Sequence, residues 1–100
     1  MRFKGKVVLV TGASRGIGRA SALAVGKEGA KVAVNHPGEP EKAAEVVKAI
    51  PEAFAVQADV GKKAEIYRMV AEVIAKWGRI DVLVNNAGIC PFSEFLDVTE

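Results

Sequence analysis

The sequence predicts an α/β protein, a parallel sheet wound with helices on both faces. Three observations carry that expectation. Four short apolar runs alternate with three longer segments of helical period. The first run, Val7-Val8-Leu9-Val10, has no polar alternation, the pattern of a strand covered on both sides. It leads straight into Thr11-Gly12-Ala13-Ser14-Arg15-Gly16-Ile17-Gly18, and a glycine-rich turn between strand and helix is a place where backbone N–H groups can meet phosphate. With right-handed crossovers, the order β-α-β-α-β-α-β gives strands arranged 3-2-1-4.

Each element has a local reason. Lys6–Val10 reads as the first strand. The first helix runs from Ile17 to Glu28, with Ile17, Ala20, Leu23 and Ala24 expected on the sheet-facing side and Gly29 as its stop. Lys31–Asn35 is the second strand. His36-Pro37-Gly38-Glu39-Pro40 is a loop, because two prolines and a glycine break any period. Ala43, Val46, Val47 and Ile50 repeat at helical spacing, so Glu41–Ile50 is the second helix, entered after Pro40 and ended by Pro51. Ala53–Gln57 is the third strand. Lys62–Trp77 is the longest helix, with Ile66, Val70, Val73, Ile74 and Trp77 as its apolar stripe and Gly78 closing it. Ile80–Val84 is the fourth strand, followed by Asn85-Asn86-Ala87-Gly88. A further helix is expected to open near Thr99, a plausible N-cap.

Composition narrows the function. The chain has 100 residues, half of them hydrophobic and 26% charged, which suits one ordinary globular domain. The net charge of +2 comes from interspersed acids and bases, so nothing points to nucleic acid or an anionic membrane. One cysteine, Cys90, excludes an intrachain disulfide and suits a reducing cytoplasm. The basic start, Arg2, Lys4 and Lys6, precedes an apolar run too short for a signal peptide, and no stretch approaches transmembrane length. One histidine and one cysteine cannot build a zinc site.

The glycines have distinct expected tasks. Gly12 lets the chain turn sharply out of the strand, Gly16 lets backbone approach a pyrophosphate, and Gly18 lets the helix pack closely on the sheet. The spacing is Gly-x-x-x-Gly-x-Gly rather than the commoner Gly-x-Gly-x-x-Gly. With Asn85-Asn86-Ala87-Gly88 after the fourth strand, it closely resembles the short-chain dehydrogenase/reductase family. The resemblance spans the whole chain but only the amino-terminal part of a family member. It implies a Rossmann-type fold and an NAD(P)-dependent oxidoreductase that moves a hydride between the nicotinamide and an alcohol or carbonyl substrate. Residues 1–100 would be the cofactor-binding domain, ending before the catalytic half. The run through Ile89-Cys90-Pro91-Phe92 resembles sugar-oxidising members, and 3-oxoacyl reductases are similar as well. Cys90 reads as a small apolar filler.

Candidate cofactor residues follow. In the turn and the first helical residues they are Gly12, Ser14, Arg15, Gly16, Ile17 and Gly18. The Ser14 hydroxyl could bond phosphate. Arg15 could pair with a ribose 2′-phosphate or be a solvated surface cation. No carboxylate ends the second strand, where NAD-preferring folds carry one, so NADP is the preferred cofactor and NAD the other possibility. Glu39 lies past a proline and is expected to point away. His36 reads as an exposed loop histidine, with contact to the 2′-phosphate as its functional alternative. The resemblance gives Asp59 the adenine amino group and Val60 the adenine ring; Asp59 is also a natural turn residue beside Gly61. Asn86, with Ala87 and Gly88, would line the adenosine pocket.

No catalytic residue is expected within the chain. The family's tyrosine acts with a lysine four residues on. The only tyrosine here, Tyr67, is followed at that spacing by Ala71 and lies on the exposed side of its helix. The longer parent would be an oligomer. The alternatives are a non-catalytic dinucleotide-binding module, or a piece made to test whether half such a sheet holds together.

Overall fold

The computed structural model describes residues 3–14 and 16–86. The elements are β1 (Val7–Val10), α1 (Gly16–Lys27), β2 (Lys31–His36), α2 (Pro40–Lys48), β3 (Ala53–Gln57), α3 (Lys63–Trp77) and β4 (Val82–Val84). The sheet is fully parallel with the order β3-β2-β1-β4, as the sequence predicts. The helix expected near Thr99 lies outside the described residues.

The period-2 geometry of strands splits the core into two layers. Val7 and Leu9 of β1 join Ala33, Val56, Ile66, Met69, Val70 and Val73 under α3. Val8 and Val10 join Val32, Val34, Ala22, Ala43, Val46 and Ile50 under α1 and α2. All four residues of β1 are buried, which accounts for its uninterrupted apolar run. Phe54 and Trp77 close one margin of the α3 layer with an edge-on contact, centroids 5.0 Å apart. Arg68 ties α3 to the end of β3 by donating to the Gln57 carbonyl while it pairs with Glu65 and Glu72.

α1 corrects the sequence reading of its faces. Ile17 is 78% exposed and Ala20 and Ala24 are exposed, whereas Gly18, Ala22 and Gly26 are buried. The face with the least bulk wins because the approach is so close. A Cβ on Gly18 would lie 2.0 Å from the Gly12 carbonyl oxygen, and one on Gly26 would lie 2.7 Å from Ile50 Cγ2. The helix ends with Gly29 at φ 96°, Ala30 N–H donating to Val25 O and Gly29 N–H to Gly26 O, the paired bonds of a Schellman stop.

Two other boundaries shift for visible reasons. Pro40 is itself the first residue of α2, where its missing N–H costs nothing. β4 begins at Val82 rather than Ile80 because Asp81 substitutes its side chain for ladder geometry: Val7 N–H donates to Asp81 Oδ2 at 2.8 Å while Asp81 N–H donates to Val7 O. In α3, Met69 takes the buried place expected of Ile74, which is 39% exposed.

Candidate functional site

Parallel strands deliver their carboxyl ends to one edge of the sheet, and the loops that leave those ends meet there. After β1, Thr11 to Ser14 turn into α1. Gly12 at φ 58° and Gly16 at φ 64° adopt left-handed backbone that glycine tolerates without strain. Nothing lies within 4 Å of where a Gly16 Cβ would be, so the backbone there faces open space. Gly16, Ile17 and Gly18 form the first turn of α1, whose N–H groups have no partner within the helix and sit at its positive end.

Two residues that sequence reasoning did not select hold this turn. Asn35, 1% exposed, accepts from Gly12 N–H at 3.1 Å through Oδ1, and its carbonyl accepts from Ala13 N–H at 2.8 Å. Its Nδ2 donates to the Val56 and Ala58 carbonyls. One amide thereby fixes the glycine turn to the ends of β2 and β3. Thr11 joins the turn to β4: Asn86 N–H donates to Thr11 Oγ1 at 3.0 Å, and that hydroxyl lies 3.2 Å from Asn85 Oδ1. The available signal for Asn35 was a polar residue ending an apolar strand run, which demands buried partners.

His36 and Glu39 depart from expectation. His36 closes β2 and is 4% exposed, not an exposed loop residue. Its Nδ1 accepts from Glu39 N–H at 2.9 Å. Burial pushes its pKa below the ordinary value, against a smaller upward pull from Glu39. Glu39 does not point away: Ser14 Oγ donates to Glu39 Oε1 at 2.7 Å. Ser14 itself is buried in the turn.

Asp59 and Val60 follow β3 at the same edge. Asp59 Oδ1 accepts from Gly61 N–H at 2.9 Å, the turn role open to it, and its exposed carboxylate lies 4.0 Å from Lys62 Nζ. Asn86 presents a buried Nδ2 without a hydrogen-bond partner among the described residues. Arg15, Ala87, Gly88 and Cys90 lie outside the described residues. Hydrogen bonds through Thr11, Asn35 and Glu39 tie Gly12, Ser14, His36 and Asn86 to this edge, Gly18 packs on the Gly12 carbonyl, Gly16 and Ile17 open α1 exposed beside them, and Asp59 and Val60 lie beyond Ala58. No group of metal-ligating side chains occurs among the described residues, and no helix there is long and apolar enough to cross a membrane.

Residues 6–100 match the family model of the short chain dehydrogenases. The chain belongs to the short-chain dehydrogenase family. It is 53% identical over 88 residues to a 3-oxoacyl-acyl-carrier-protein reductase of Staphylococcus epidermidis, covering 84% of this chain and 36% of that protein. Versicolorin reductase 1 of Aspergillus parasiticus is 46% identical over 102 residues, covering 98% of this chain and 39% of its own. Among solved structures, a short-chain dehydrogenase/reductase from Serratia marcescens superposes with a TM-score of 0.84 at 34% identity, covering 89% of this chain and 38% of that one. A hydroxysteroid dehydrogenase from Escherichia coli gives 0.81 at 32% identity, covering 95% and 45%. The chain thus spans between 36% and 45% of the length of these proteins.

The residues present fit the nicotinamide dinucleotide that the family employs. The space above Gly16 admits a ligand, the start of α1 supplies donors, and the unpartnered Asn86 amide supplies another. Ile17, apolar and 78% exposed in that first turn, offers an aliphatic contact beside them.

Proposed function

We propose that the chain is the dinucleotide-binding part of an NAD(P)-dependent oxidoreductase acting on a hydroxyl or carbonyl substrate, a 3-oxoacyl group or a sugar. The observation that carries this reading is the bonded glycine turn, with Asn35 below it, Thr11 beside it and the unpartnered Asn86 amide across from it. The nicotinamide supplies or accepts the hydride when bound. The chain's own residues bind and orient. N–H groups of Gly16, Ile17 and Gly18 take the pyrophosphate, and Gly12 shapes the turn that presents them. Asp59 accepts from the adenine amino group with Val60 against the ring, and Asn86 donates to the adenosine side, flanked in sequence by Ala87 and Gly88. Arg15 supports NADP, because a guanidinium pairs bidentately with phosphate.

The reading leaves proton transfer to residues beyond this chain. Tyr67 is 40% exposed on α3, which covers the sheet face opposite α1, and Ala71 rather than a lysine follows it. The active protein is then the longer one, working in the cytoplasm as an oligomer.

Two measurements test this. The complete protein that carries this chain is mixed with NAD or NADP and a panel of sugars and alcohols, and with NADH or NADPH and 3-oxoacyl thioesters, and the reduced cofactor formed or consumed is followed by absorbance. Turnover with one substrate class is expected; none with any would contradict it. The 100 residues alone are expected to bind dinucleotide without turnover, since general acid–base catalysis contributes roughly 10²–10⁴-fold and its groups are missing. Turnover by purified 100-residue chain would show that a catalytic group had been overlooked.

A further inference from the structure

β3 stands at the end of the described sheet, and side chains of α3 close its outer edge. The Glu52 carbonyl accepts from Val32 N–H, and Ala58 N–H donates to the His36 carbonyl, so the even-numbered residues from 52 to 58 direct their backbone groups at β2. In a parallel strand the residues between them face the other way, which turns Gln57 C=O and Asp59 N–H outward. Arg68 donates to that Gln57 carbonyl. Glu65 Oε1 lies 3.0 Å from Arg68 Nη2 and accepts from Asp59 N–H over a long 3.5 Å. A donor on one carbonyl and an acceptor on the N–H two residues later are what one residue of a further parallel strand would supply. The Arg68–Glu65 pair takes that place, and Glu72 holds Arg68 from the next turn of α3 at 2.8 Å. The Arg68 hydrogen bond, then the Asp59 N–H, holds the Glu65 carboxyl below its ordinary pKa, so it stays an acceptor at neutral pH. On the inner side, Asn35 holds the Val56 and Ala58 carbonyls. The chain leaving β3 is thus fixed from both sides where Asp59 and Val60 begin.

We propose that Arg68 and Glu65 are positioning residues of the dinucleotide site: by closing the outer edge of β3 they set where the Asp59 carboxylate meets the adenine amino group. The proposal rests on the dinucleotide-binding reading above and on its assignment of Asp59. Neither side chain has to touch the dinucleotide. Asp59 Oδ1 accepts from Gly61 N–H at 2.9 Å, so the carboxylate moves with the backbone of its own turn. Without the pair, Gln57 C=O and Asp59 N–H turn to water, and the turn gains freedom that binding must remove. Both side chains are partly exposed, and exposed ion pairs contribute little to stability, so an effect on binding separates from an effect on folding.

The test compares the complete protein with Arg68→Ala and Glu65→Ala. Each is titrated with NAD or NADP, whichever the parent binds more tightly, and with the same dinucleotide carrying hypoxanthine in place of adenine, which lacks the amino group. Unfolding midpoints are measured alongside. R68A is expected to weaken the adenine dinucleotide roughly three- to tenfold and the hypoxanthine dinucleotide by less than about twofold, with a midpoint close to the parent's. E65A is expected to show the same selectivity with a smaller loss, about two- to fivefold, and it decides the matter alone if R68A does not fold. An equal loss with both dinucleotides, or no loss in either variant, overturns the positioning role while the dinucleotide site stands. A parent that binds both dinucleotides alike removes the Asp59 assignment, and the proposal with it. If the parent binds neither, the dinucleotide-binding reading itself falls.

Discussion

Gly18 occupies a place where no side chain fits, since its Cβ would stand 2.0 Å from the Gly12 carbonyl oxygen. The obstacle is backbone, which cannot rotate aside. Gly18→Ala is expected to destabilise the fold by at least about 3 kcal/mol in urea unfolding, the upper end of overpacking costs, and to distort the turn. Gly26→Ala would press on the buried, branched Ile50 side chain, with Cγ2 at 2.7 Å and Cγ1 at 2.9 Å, so a loss of about 1–2 kcal/mol is expected, smaller than at Gly18 because a side chain can shift and alanine gains helix propensity. Asn35 carries a different burden. Asn35→Ala strands the Gly12 N–H and the Val56 and Ala58 carbonyls, and a loss of about 2–4 kcal/mol together with weaker dinucleotide binding is expected. Gly18 was legible in the sequence because glycine spacing reports backbone geometry directly. Asn35 and Glu39 were not, because their partners lie 21 to 25 residues away and only the fold brings them together. Burial of His36 was hidden by the Pro37-Gly38-Glu39-Pro40 stretch after it, which disguised the last residue of β2 as loop. That burial carries a pH signature. The folded pKa lies below the unfolded value, so the unfolded chain binds more protons at mildly acid pH. Stability contributed by neutral His36 is full above about 6.5 and is lost as pH falls from there toward the folded pKa. Unfolding midpoints measured across that window should fall in the parent chain and stay flatter in His36→Gln.

At the scale of elements, pairing between β1 and β4 begins with one side chain. The Asp81 carboxylate accepts from Val7 N–H and from Arg79 Nε, and Arg79 reaches on to the Gly5 carbonyl. The Val7 hydrogen bond, then Arg79, holds the Asp81 pKa below its ordinary value of 3.8. A depressed carboxylate pKa contributes stability at neutral pH that disappears as pH falls below the unfolded value. Asp81→Asn is therefore expected to destabilise by about 1 kcal/mol at neutral pH, a modest figure because the carboxylate is partly solvated. The gap between variant and parent should close below about pH 4, where the parent's carboxylate protonates. A gap independent of pH would assign the effect to shape rather than charge. Helices were legible in existence and length but less so in facing. Hydrophobicity alone put Ile17, Ala20 and Ala24 against the sheet, whereas close approach requires the smallest residues, Gly18, Ala22 and Gly26. For α3 the same approach worked on Ile66, Val70 and Val73 and failed only where Met69 and Ile74 exchange roles at the stripe's margin.

For the molecule as a whole, the parallel order β3-β2-β1-β4 followed from alternation and handedness, which constrain topology more tightly than any single residue does. The same order leaves β4 at the end of the sheet, with all three of its valine and leucine residues half-buried. An apolar parallel strand at an edge is a template for pairing. The isolated 100 residues are therefore expected to self-associate, with sedimentation showing mass rising with concentration; a monodisperse monomer would contradict this. Function, too, belongs to this scale, because the proposed site draws on residues that follow β1, β2, β3 and β4. A crystal structure of the complete protein with its dinucleotide measures this most directly. The pyrophosphate should lie within hydrogen-bond distance of the Gly16–Gly18 N–H groups, with Asn86 Nδ2 bonded to the adenosine side of the same molecule. A dinucleotide seated away from the start of α1, with the Asn86 amide still unpartnered, would contradict it.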